Sequence, residues 1–174
     1  KSATWEKLKL MILEAIEEGA NVITWSETLI PGYPVWMGST DSARWNHPEQ
    51  KRAYSTYVRE SVSLDGAIVG EMCEIAAEHG VMLMGGILED GGSSVYCTLL
   101  TIGFDGEILG RHRKIKPTYD ERLIWADGDI EGLRTYETPE GPIGGLNCWE
   151  NWIPLARAAL HQEGEMIHVA VWPG

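Results

Sequence analysis

Basic side chains are few in this sequence: 14 lysines and arginines stand against 26 aspartates and glutamates, which gives the 174 residues a formal net charge of −12. Phosphate groups bind to clustered cations, so an acidic surface argues against a nucleic acid or an anionic membrane as partner. Long apolar runs are missing as well, since none reaches the ~18 residues that a membrane-spanning helix requires. We therefore expect no nucleic-acid partner and no membrane span, and we find no secretory signal peptide.

Cysteine is also scarce, and the sequence holds only Cys73, Cys97 and Cys148. An odd number at such wide spacing fits neither a disulfide framework nor a zinc site with paired ligands. We therefore expect a reducing compartment, the cytoplasm, and no bound metal. The glycine-rich nucleotide-binding motifs, His-Glu-x-x-His and Gly-x-Ser-x-Gly are missing too, so the sequence predicts no cofactor.

What the sequence does contain is a succession of helix and strand patterns within what we expect to be one domain, residues 1–174. Apolar residues at helical spacing predict helices over residues 4–18, 49–61, 67–79 and 154–162. Short apolar runs predict strands over residues 21–26, 81–88, 94–102, 107–111, 133–137, 143–147 and 166–172. A long loop rich in Pro, Gly and Trp is predicted over residues 30–47, and Asp105-Gly106 indicates a hairpin turn. A helix followed by a strand indicates an α/β or layered α+β fold.

Cys148 lies where the predicted strand 143–147 gives way to a helix that Pro154 can begin. Unpaired N–H groups at a helix start stabilise a thiolate, so we expect the pKa of this thiol to lie below the ~8.5 of a free cysteine. The alternative is a cysteine that is simply buried. The glycine, tryptophan and glutamate that flank it favour a nucleophile.

Other side chains offer acid–base chemistry. Glu27 ends a predicted strand and enters a Pro/Gly loop, where a carboxylate is held and partly desolvated; this raises its pKa towards that of a general base. It can equally be an exposed residue at a strand end. Lys114 lies in a basic run that is either a solvated surface or, in so acidic a chain, a functional cation. Glu121 can orient that lysine or pair with Arg122.

Four segments of the chain together resemble the nitrilase branch of the carbon–nitrogen hydrolase superfamily. They are residues 26–34 (Ser-Glu-Thr-Leu-Ile-Pro-Gly-Tyr-Pro), 111–118 (Arg-His-Arg-Lys-Ile-Lys-Pro-Thr), 121–129 and 145–151 (Gly-Leu-Asn-Cys-Trp-Glu-Asn). Their order and separations match the family over almost the whole chain, and the Cys-Trp-Glu triplet is similar to nitrilases proper. The resemblance implies an α-β-β-α sandwich whose dimers stack into larger homo-oligomers.

The resemblance also implies a role for each polar candidate. Glu27 matches the general base, Lys114 the cationic stabiliser, Cys148 the nucleophile and Glu121 the second glutamate that positions the lysine. The implied reaction takes a small-molecule nitrile and water to a carboxylic acid and ammonia, through a thioimidate and then a thioester.

Aromatic residues lie close in sequence to these groups, and we expect Tyr33, Trp125 and Trp149 to line the substrate pocket, unless they are ordinary core aromatics. The family's first strand and its C-terminal part have no counterpart here, so we expect a fragment of a longer nitrilase. Two other functions stay open: an amidase or carbamoyl hydrolase of the same superfamily, and a non-catalytic fragment or binding domain.

Overall fold

The computed structural model describes residues 1–41 and 43–173, so Ser42 of the predicted loop and Gly174 lie outside the described residues. The helices are α1 (Ser2–Glu17), α2 (Pro48–Arg59), α3 (Ala67–His79) and α4 (Pro154–Gln162). The strands are β1 (Val22–Ile30), β2 (Met82–Asp90), β3 (Val95–Ile102), β4 (Ile108–Arg113), β5 (Ile143–Asn147) and β6 (Ile167–Val171). Short 3-10 helices cover Val35–Ser39, Tyr119–Leu123 and Cys148–Trp152. None of the helices in this part of the chain is both long and apolar enough to cross a membrane.

Within the described residues the strands form a four-stranded sheet, in the order β1-β2-β3-β4, and a two-stranded sheet of β5 and β6. Strands β1 and β2 are parallel, which requires the long crossover that α2 and α3 provide. Strand β3 is antiparallel to both β2 and β4, and a turn at Asp105-Gly106 joins β3 to β4. Strands β5 and β6 are again parallel, with α4 between them in sequence.

Buried apolar side chains arrange these elements in four layers. Helices α1 and α3 pack on one face of the four-stranded sheet, around Trp5 and Met72. The opposite face packs against β5 and β6, where Met84 and Leu99 meet Ile143. Helix α4 covers the outer face of the smaller sheet through Leu160. This packing confirms the expected α-β-β-α order.

The predicted helices over residues 67–79 and 154–162 are confirmed at both ends. The predicted strand over residues 133–137 is wrong, because Tyr136 makes a single bridge to Ile143 and the pairing stops there. Arg134, which a longer ladder would pair with Gly145, donates its N–H to the Gly132 carbonyl in a local turn instead. The predicted strand over residues 143–147 is confirmed at both ends, and the other strands differ from their predicted bounds by at most four residues at either end.

The prediction that the first strand ends at Glu27 is wrong, because β1 continues to Ile30. Its pairing with β2 is irregular after Trp25. Thr28 has a φ of 45°, in the left-handed region that side chains rarely adopt. The irregular segment lies directly against Gly86 of β2, where an added Cβ would be only 2.6 Å from Glu27 Cα. Because Gly86 has no side chain, the backbone at Glu27 can lie directly against β2.

Candidate active site

Lys114 places its ammonium group between two glutamates. Its Nζ lies 2.6 Å from Glu27 Oε1 and 2.7 Å from Glu121 Oε2. The side chains of Lys114 and Glu27 have no exposed surface, and that of Glu121 is 4% exposed. Charges buried this deeply are costly unless they are paired and hydrogen-bonded, so the three side chains form one coupled unit.

The basic run that contains Lys114 is divided between two faces, because successive side chains of a strand point in opposite directions. Arg111 and Arg113 turn to Glu89 on one side, whereas His112 turns to the other and meets Glu150. Lys114 follows β4, and its backbone N–H donates to the Cys97 carbonyl at 2.8 Å, which continues the pairing of β3 with β4. The lysine is thus inside the protein and is not part of a solvated basic surface.

Glu121 is fixed by its own short helix. Its Oε2 accepts a hydrogen bond from the backbone N–H of Thr118 at 2.6 Å, which forms a capping box at the start of the 3-10 helix Tyr119–Leu123. Its Oε1 accepts the phenol O–H of Tyr33 at 2.8 Å. Arg122 donates to the Pro117 carbonyl instead. Of the two alternatives open for Glu121, orienting the lysine is therefore the arrangement found.

Cys148 directly follows β5 and begins the 3-10 helix Cys148–Trp152, so that α4 starts only at Pro154. Cys148 was expected where a strand meets an α-helix, but a 3-10 helix separates β5 from α4. Cys148 has a φ of 49°, a conformation that costs a non-glycine residue about 1–3 kcal/mol and that collects at functional sites. A cavity of about 340 Å³ opens beside the thiol, and its lining includes Tyr33, Glu121 and Trp149.

The buried charges shift one another's ionisation. Burial raises the pKa of Glu27 above the ordinary 4.5, as expected, and the Lys114 ammonium offsets this only in part. Burial opposes the charge on Lys114 too, but the acidic groups around it (Cys97, Glu27 and Glu121) raise its pKa above the ordinary value. At neutral pH the lysine therefore stays an ammonium group, whereas Glu27 can accept a proton more readily than a surface glutamate.

The thiol of Cys148 differs from expectation. Burial and then the Glu27 carboxylate raise its pKa to about 11, while Lys114 and the backbone N–H of Trp149 act in the opposite direction. The expectation of a thiolate stabilised by the start of α4 is therefore wrong. At neutral pH the group is a thiol, so its use as a nucleophile requires a base.

One carboxylate that sequence reasoning did not select holds the site together. Glu150 accepts hydrogen bonds from the backbone N–H groups of Asn147 (3.0 Å) and Ile115 (2.7 Å), and it contacts His112 Nε2 at 3.0 Å. Asn147 precedes the thiol and Ile115 follows the lysine. The side chain of Glu150 therefore joins the backbone on both sides of the site.

Cys97 was also missed. Its buried thiol donates to Glu27 Oε1 at 3.3 Å, the same oxygen that Lys114 contacts. The predicted hairpin could have revealed this proximity. Counting the same number of residues in both directions from the turn at Asp105-Gly106 places Cys97 opposite Lys114. The other oxygen of Glu27, Oε2, is buried without a hydrogen-bond partner within the described residues.

The three aromatic residues expected in the pocket occupy different environments. Tyr33 lines the cavity and bonds Glu121, and Trp149 lines the cavity while remaining 52% exposed. Trp125 is only 3% exposed; it packs edge-on against Tyr33, and its ring centre lies 5.5 Å from Lys114 Nζ. Trp125 is thus a buried support for the lysine.

The side chains gathered here suit nucleophilic and acid–base chemistry. A thiol at a cavity, an ammonium group and two carboxylates are the side-chain types from which enzymes build nucleophiles, anion stabilisers and proton acceptors. Within residues 1–41 and 43–173, no group of three or more His, Cys, Asp and Glu side chains is placed to hold a metal ion.

Comparison with known sequences gives a consistent result. The chain is 44% identical over 176 residues to Nitrilase 2 of an unknown prokaryotic organism, covering 99% of this chain and 54% of that protein. It is 36% identical over 168 residues to Nitrilase 3 of Arabidopsis thaliana, covering 97% of this chain and 49% of that protein. The chain therefore spans about half the length of the curated relatives that it matches.

Solved structures share the fold at low sequence identity. A carbon–nitrogen hydrolase from Helicobacter pylori G27 superposes with a TM-score of 0.70 at 18% identity, over 98% of this chain and 55% of that one. An amidase from Nesterenkonia sp. superposes with a TM-score of 0.67 at 18% identity, over 98% of this chain and 59% of that one. The profile of the carbon–nitrogen hydrolase family matches residues 1–173, so the chain belongs to the carbon–nitrogen hydrolase family.

Proposed function

We propose that this chain carries the catalytic centre of a nitrilase, which converts a nitrile and two water molecules into a carboxylic acid and ammonia. The observation that carries the proposal is the buried Glu27–Lys114–Glu121 unit, with the uncommitted oxygen of Glu27, in the same site as the cavity that Cys148 lines. The nitrilase names of relatives such as those at 44% and 36% identity support it.

In the first half of the proposed reaction, Glu27 takes the proton of the Cys148 thiol and the sulfur adds to the nitrile carbon. The C–S bond forms as one C–N π bond breaks, and the nitrogen receives a proton, which gives a thioimidate. Lys114 stabilises the negative charge that develops on this nitrogen. Preorganised donors of this kind are worth about 3 kcal/mol each.

In the second half, a water molecule adds to the thioimidate carbon after a glutamate removes its proton. The nitrogen takes up protons and leaves as ammonia, so that a thioester of Cys148 remains. A second water molecule then attacks the thioester, the C–S bond breaks, and the carboxylic acid and the free thiol are released. Glu27 and Glu121 flank the ammonium group, which supports a role for these glutamates in the proton transfers.

A second thiol competes for the role of nucleophile, because Cys97 is the one in direct contact with Glu27. Cys97 lies in the middle of β3 and is 1% exposed, whereas Cys148 lines the cavity. Access to a small molecule therefore favours Cys148. We expect Cys148→Ala to abolish ammonia release and to prevent a mass adduct with a nitrile, whereas Cys97→Ala retains the adduct. An adduct that maps to Cys97 would contradict the proposal.

An amide hydrolase is the second candidate, because one of the superposed structures is an amidase and the same groups would serve an amide. An assay of a nitrile beside its matching amide separates the two. We expect ammonia from the nitrile at a kcat/KM at least ten times that for the amide. Equal or reversed values would reject nitrilase activity. If neither substrate releases ammonia and Cys148 forms no mass adduct with the nitrile, the chain is a non-catalytic fragment or binding domain.

We further propose that the active form is a homo-oligomer in a reducing compartment, the cytoplasm. The three free thiols, Cys73, Cys97 and Cys148, support the compartment. The activity, substrate and assembly of the whole protein are proposals, because this chain spans half of its relatives' length. Analytical ultracentrifugation of the catalytic protein tests the assembly, and a monomer at assay concentration would reject it.

A further inference from the structure

A histidine outside the groups above lies between two oxygens. His168 of β6 places Nδ1 2.6 Å from Glu165 Oε1 and Nε2 2.7 Å from Asn151 Oδ1. The side chain of Glu165 is 2% exposed and that of His168 is 16% exposed. The arrangement therefore lies mostly out of water, where each of these groups needs a matched partner.

The orientation of the Asn151 amide is fixed by its other contacts. Its Nδ2 donates to the backbone carbonyls of Cys148 (2.8 Å) and Leu146 (3.2 Å). Carbonyl oxygens only accept hydrogen bonds, so Oδ1 must be the atom that faces His168. Nε2 of His168 therefore carries a proton and donates it to Asn151.

The other ring nitrogen faces a carboxylate. Nδ1 of His168 lies 2.6 Å from Glu165 Oε1. With Glu165 as a carboxylate, both ring nitrogens of His168 have an acceptor as partner, which is the pattern of the doubly protonated ring. His161 of α4 also lies near this pair: its Nε2 is 3.8 Å from Glu165 Oε2, and its side chain is 59% exposed. On β5, Gly144 leaves the space that the carboxylate occupies, since an added Cβ would lie 2.5 Å from Glu165 Oε1.

The chain of contacts ends at the strained residue of the active site. Cys148 has a φ of 49°, and a conformation of this kind persists only where its surroundings hold it. Glu150 holds the N–H of the preceding residue, and Asn151 holds the carbonyl of Cys148 itself. Oδ1 of the same amide meets Nε2 of His168, so His168 holds Asn151 from the side opposite to the Cys148 carbonyl.

We propose that His168 is a positioning residue: in its doubly protonated form, paired with Glu165, it orients Asn151, which holds the carbonyl of Cys148 and with it the turn that presents the thiol. The proposal rests on the proposed function only for the role of Cys148 as nucleophile. The proton on each ring nitrogen and the conformation of the turn are measured without any substrate.

The first test is NMR of the 174-residue chain labelled with 15N-histidine. We expect one-bond N–H signals from both ring nitrogens of His168 at pH 7. Glu165→Gln removes the carboxylate and should leave a proton on Nε2 alone, whereas His161→Gln, the matched control, should leave the His168 signals unchanged. A single neutral tautomer of His168 in the unsubstituted protein would overturn the proposal.

The second test uses Asn151→Asp, which keeps the shape of the side chain but replaces the Nδ2 donor by a carboxylate oxygen that faces the carbonyls of Cys148 and Leu146. We expect it to change the 13Cα and 13Cβ shifts of Cys148, which report backbone conformation, and to lower kcat about 30-fold with KM changed less than 3-fold, since misplacing a reacting group by ~1 Å costs up to ~100-fold. Asn151→Ala should cost less than Asn151→Asp. If Asn151 only fills space, Asn151→Ala should lower kcat more than Asn151→Asp does, and that result would overturn the proposal.

The two tests also separate this proposal from the proposed function. If the unsubstituted protein releases no ammonia from nitriles, the nitrilase proposal fails, and the ring-nitrogen and Cys148 shifts still decide on His168. If it is active and Asn151→Asp leaves both kcat and the Cys148 shifts unchanged, the nitrilase proposal stands and the positioning role is rejected.

Discussion

Glu27 and Glu89 are both buried carboxylates, each 1% exposed, and both meet cations from the same basic run. Glu89 has every oxygen occupied: Oε1 contacts Arg111 and Arg113 at 2.8 and 2.5 Å, and Oε2 accepts from Thr98 and Arg113 at 2.7 and 3.0 Å. Glu27 has one occupied oxygen, Oε1, and leaves Oε2 without a hydrogen-bond partner within the described residues.

The pKa shifts of the two glutamates follow this difference. Burial acts to raise the pKa of both, but the Arg113 and Thr98 hydrogen bonds reverse its effect on Glu89 and lower that pKa below 4.5. At Glu27 a single ammonium group does not compensate for burial, so the pKa is raised. A fully satisfied buried carboxylate stabilises the fold, whereas an incompletely satisfied one is available for proton transfer.

The sharpest test of this contrast is Glu27→Gln. The amide keeps the shape and removes the base, so we expect kcat/KM for nitrile hydrolysis to fall about 1,000-fold while the protein stays folded. Steady-state ammonia release and a urea unfolding curve measure the two effects. A variant that stays within tenfold of the original activity would show that the free oxygen of Glu27 is not the base.

The converse substitution is Glu89→Gln. Removing one partner of a buried ion pair typically costs about 3 kcal/mol, and we expect this loss in the free energy of unfolding, with little change in kcat for the folded protein. Because the folded pKa of Glu89 is lowered, its contribution is present above the unfolded pKa of about 4.3 and is lost as pH falls through the folded value. Urea titrations between pH 3 and 6 should show this slope in the original protein and not in the variant.

The Cys148 thiol provides a third test, in which the alkylation rate is expected to change about tenfold per pH unit. Since burial and then the Glu27 carboxylate raise the pKa of Cys148 to about 11, alkylation of Cys148 by iodoacetamide should increase roughly tenfold per pH unit between 8 and 10. Glu27→Gln removes this negative charge, so it should speed alkylation at pH 8 although it abolishes turnover. Peptide mass spectrometry reports the rate at Cys148. Glu89→Gln is the control, and an equal acceleration there would contradict the assignment.

The smallest expected effect belongs to Tyr33→Phe. This change removes one hydrogen bond to Glu121, whose net worth is about 1 kcal/mol. We expect kcat to fall about fivefold, because Glu121 then holds the lysine less firmly, with thermal stability little changed. If KM rises and kcat does not change, Tyr33 acts on the substrate and not on Glu121.

Much of the fold and of the site could be predicted from the sequence, because the signals are local. Gly80 and Pro154 mark helix ends that are found in the structure. The turn at Asp105-Gly106 aligns β3 with β4 and brings Lys114 beside the strand that holds Cys97. The α-β-β-α order was expected from a family resemblance, since periodicity alone indicated only a layered mixture of helices and strands.

What could not be predicted depends on contacts between distant segments. Glu150 was seen only as a neighbour of the cysteine, and its hydrogen bond to Ile115 joins residues 35 positions apart. The thiol was expected to have a lowered pKa because the nearby helix start is visible in sequence. The Glu27 carboxylate, which raises this pKa, is not visible in the same way, because Glu27 is far from Cys148 along the chain. Local patterns and the family resemblance selected the candidate groups, and long-range packing determines their ionisation.

Gly86 limits how this site can be altered in the laboratory. An added Cβ would lie 2.6 Å from Glu27 Cα and 2.5 Å from the Ser26 carbonyl oxygen, and both are backbone atoms that no rotamer change can move aside. Saturation mutagenesis at position 86 should therefore return glycine alone among active clones. Variants that enlarge or reshape the candidate site must therefore be made from the cavity side, at Tyr33 or Trp149, because the backbone behind Glu27 leaves no room for a side chain at position 86.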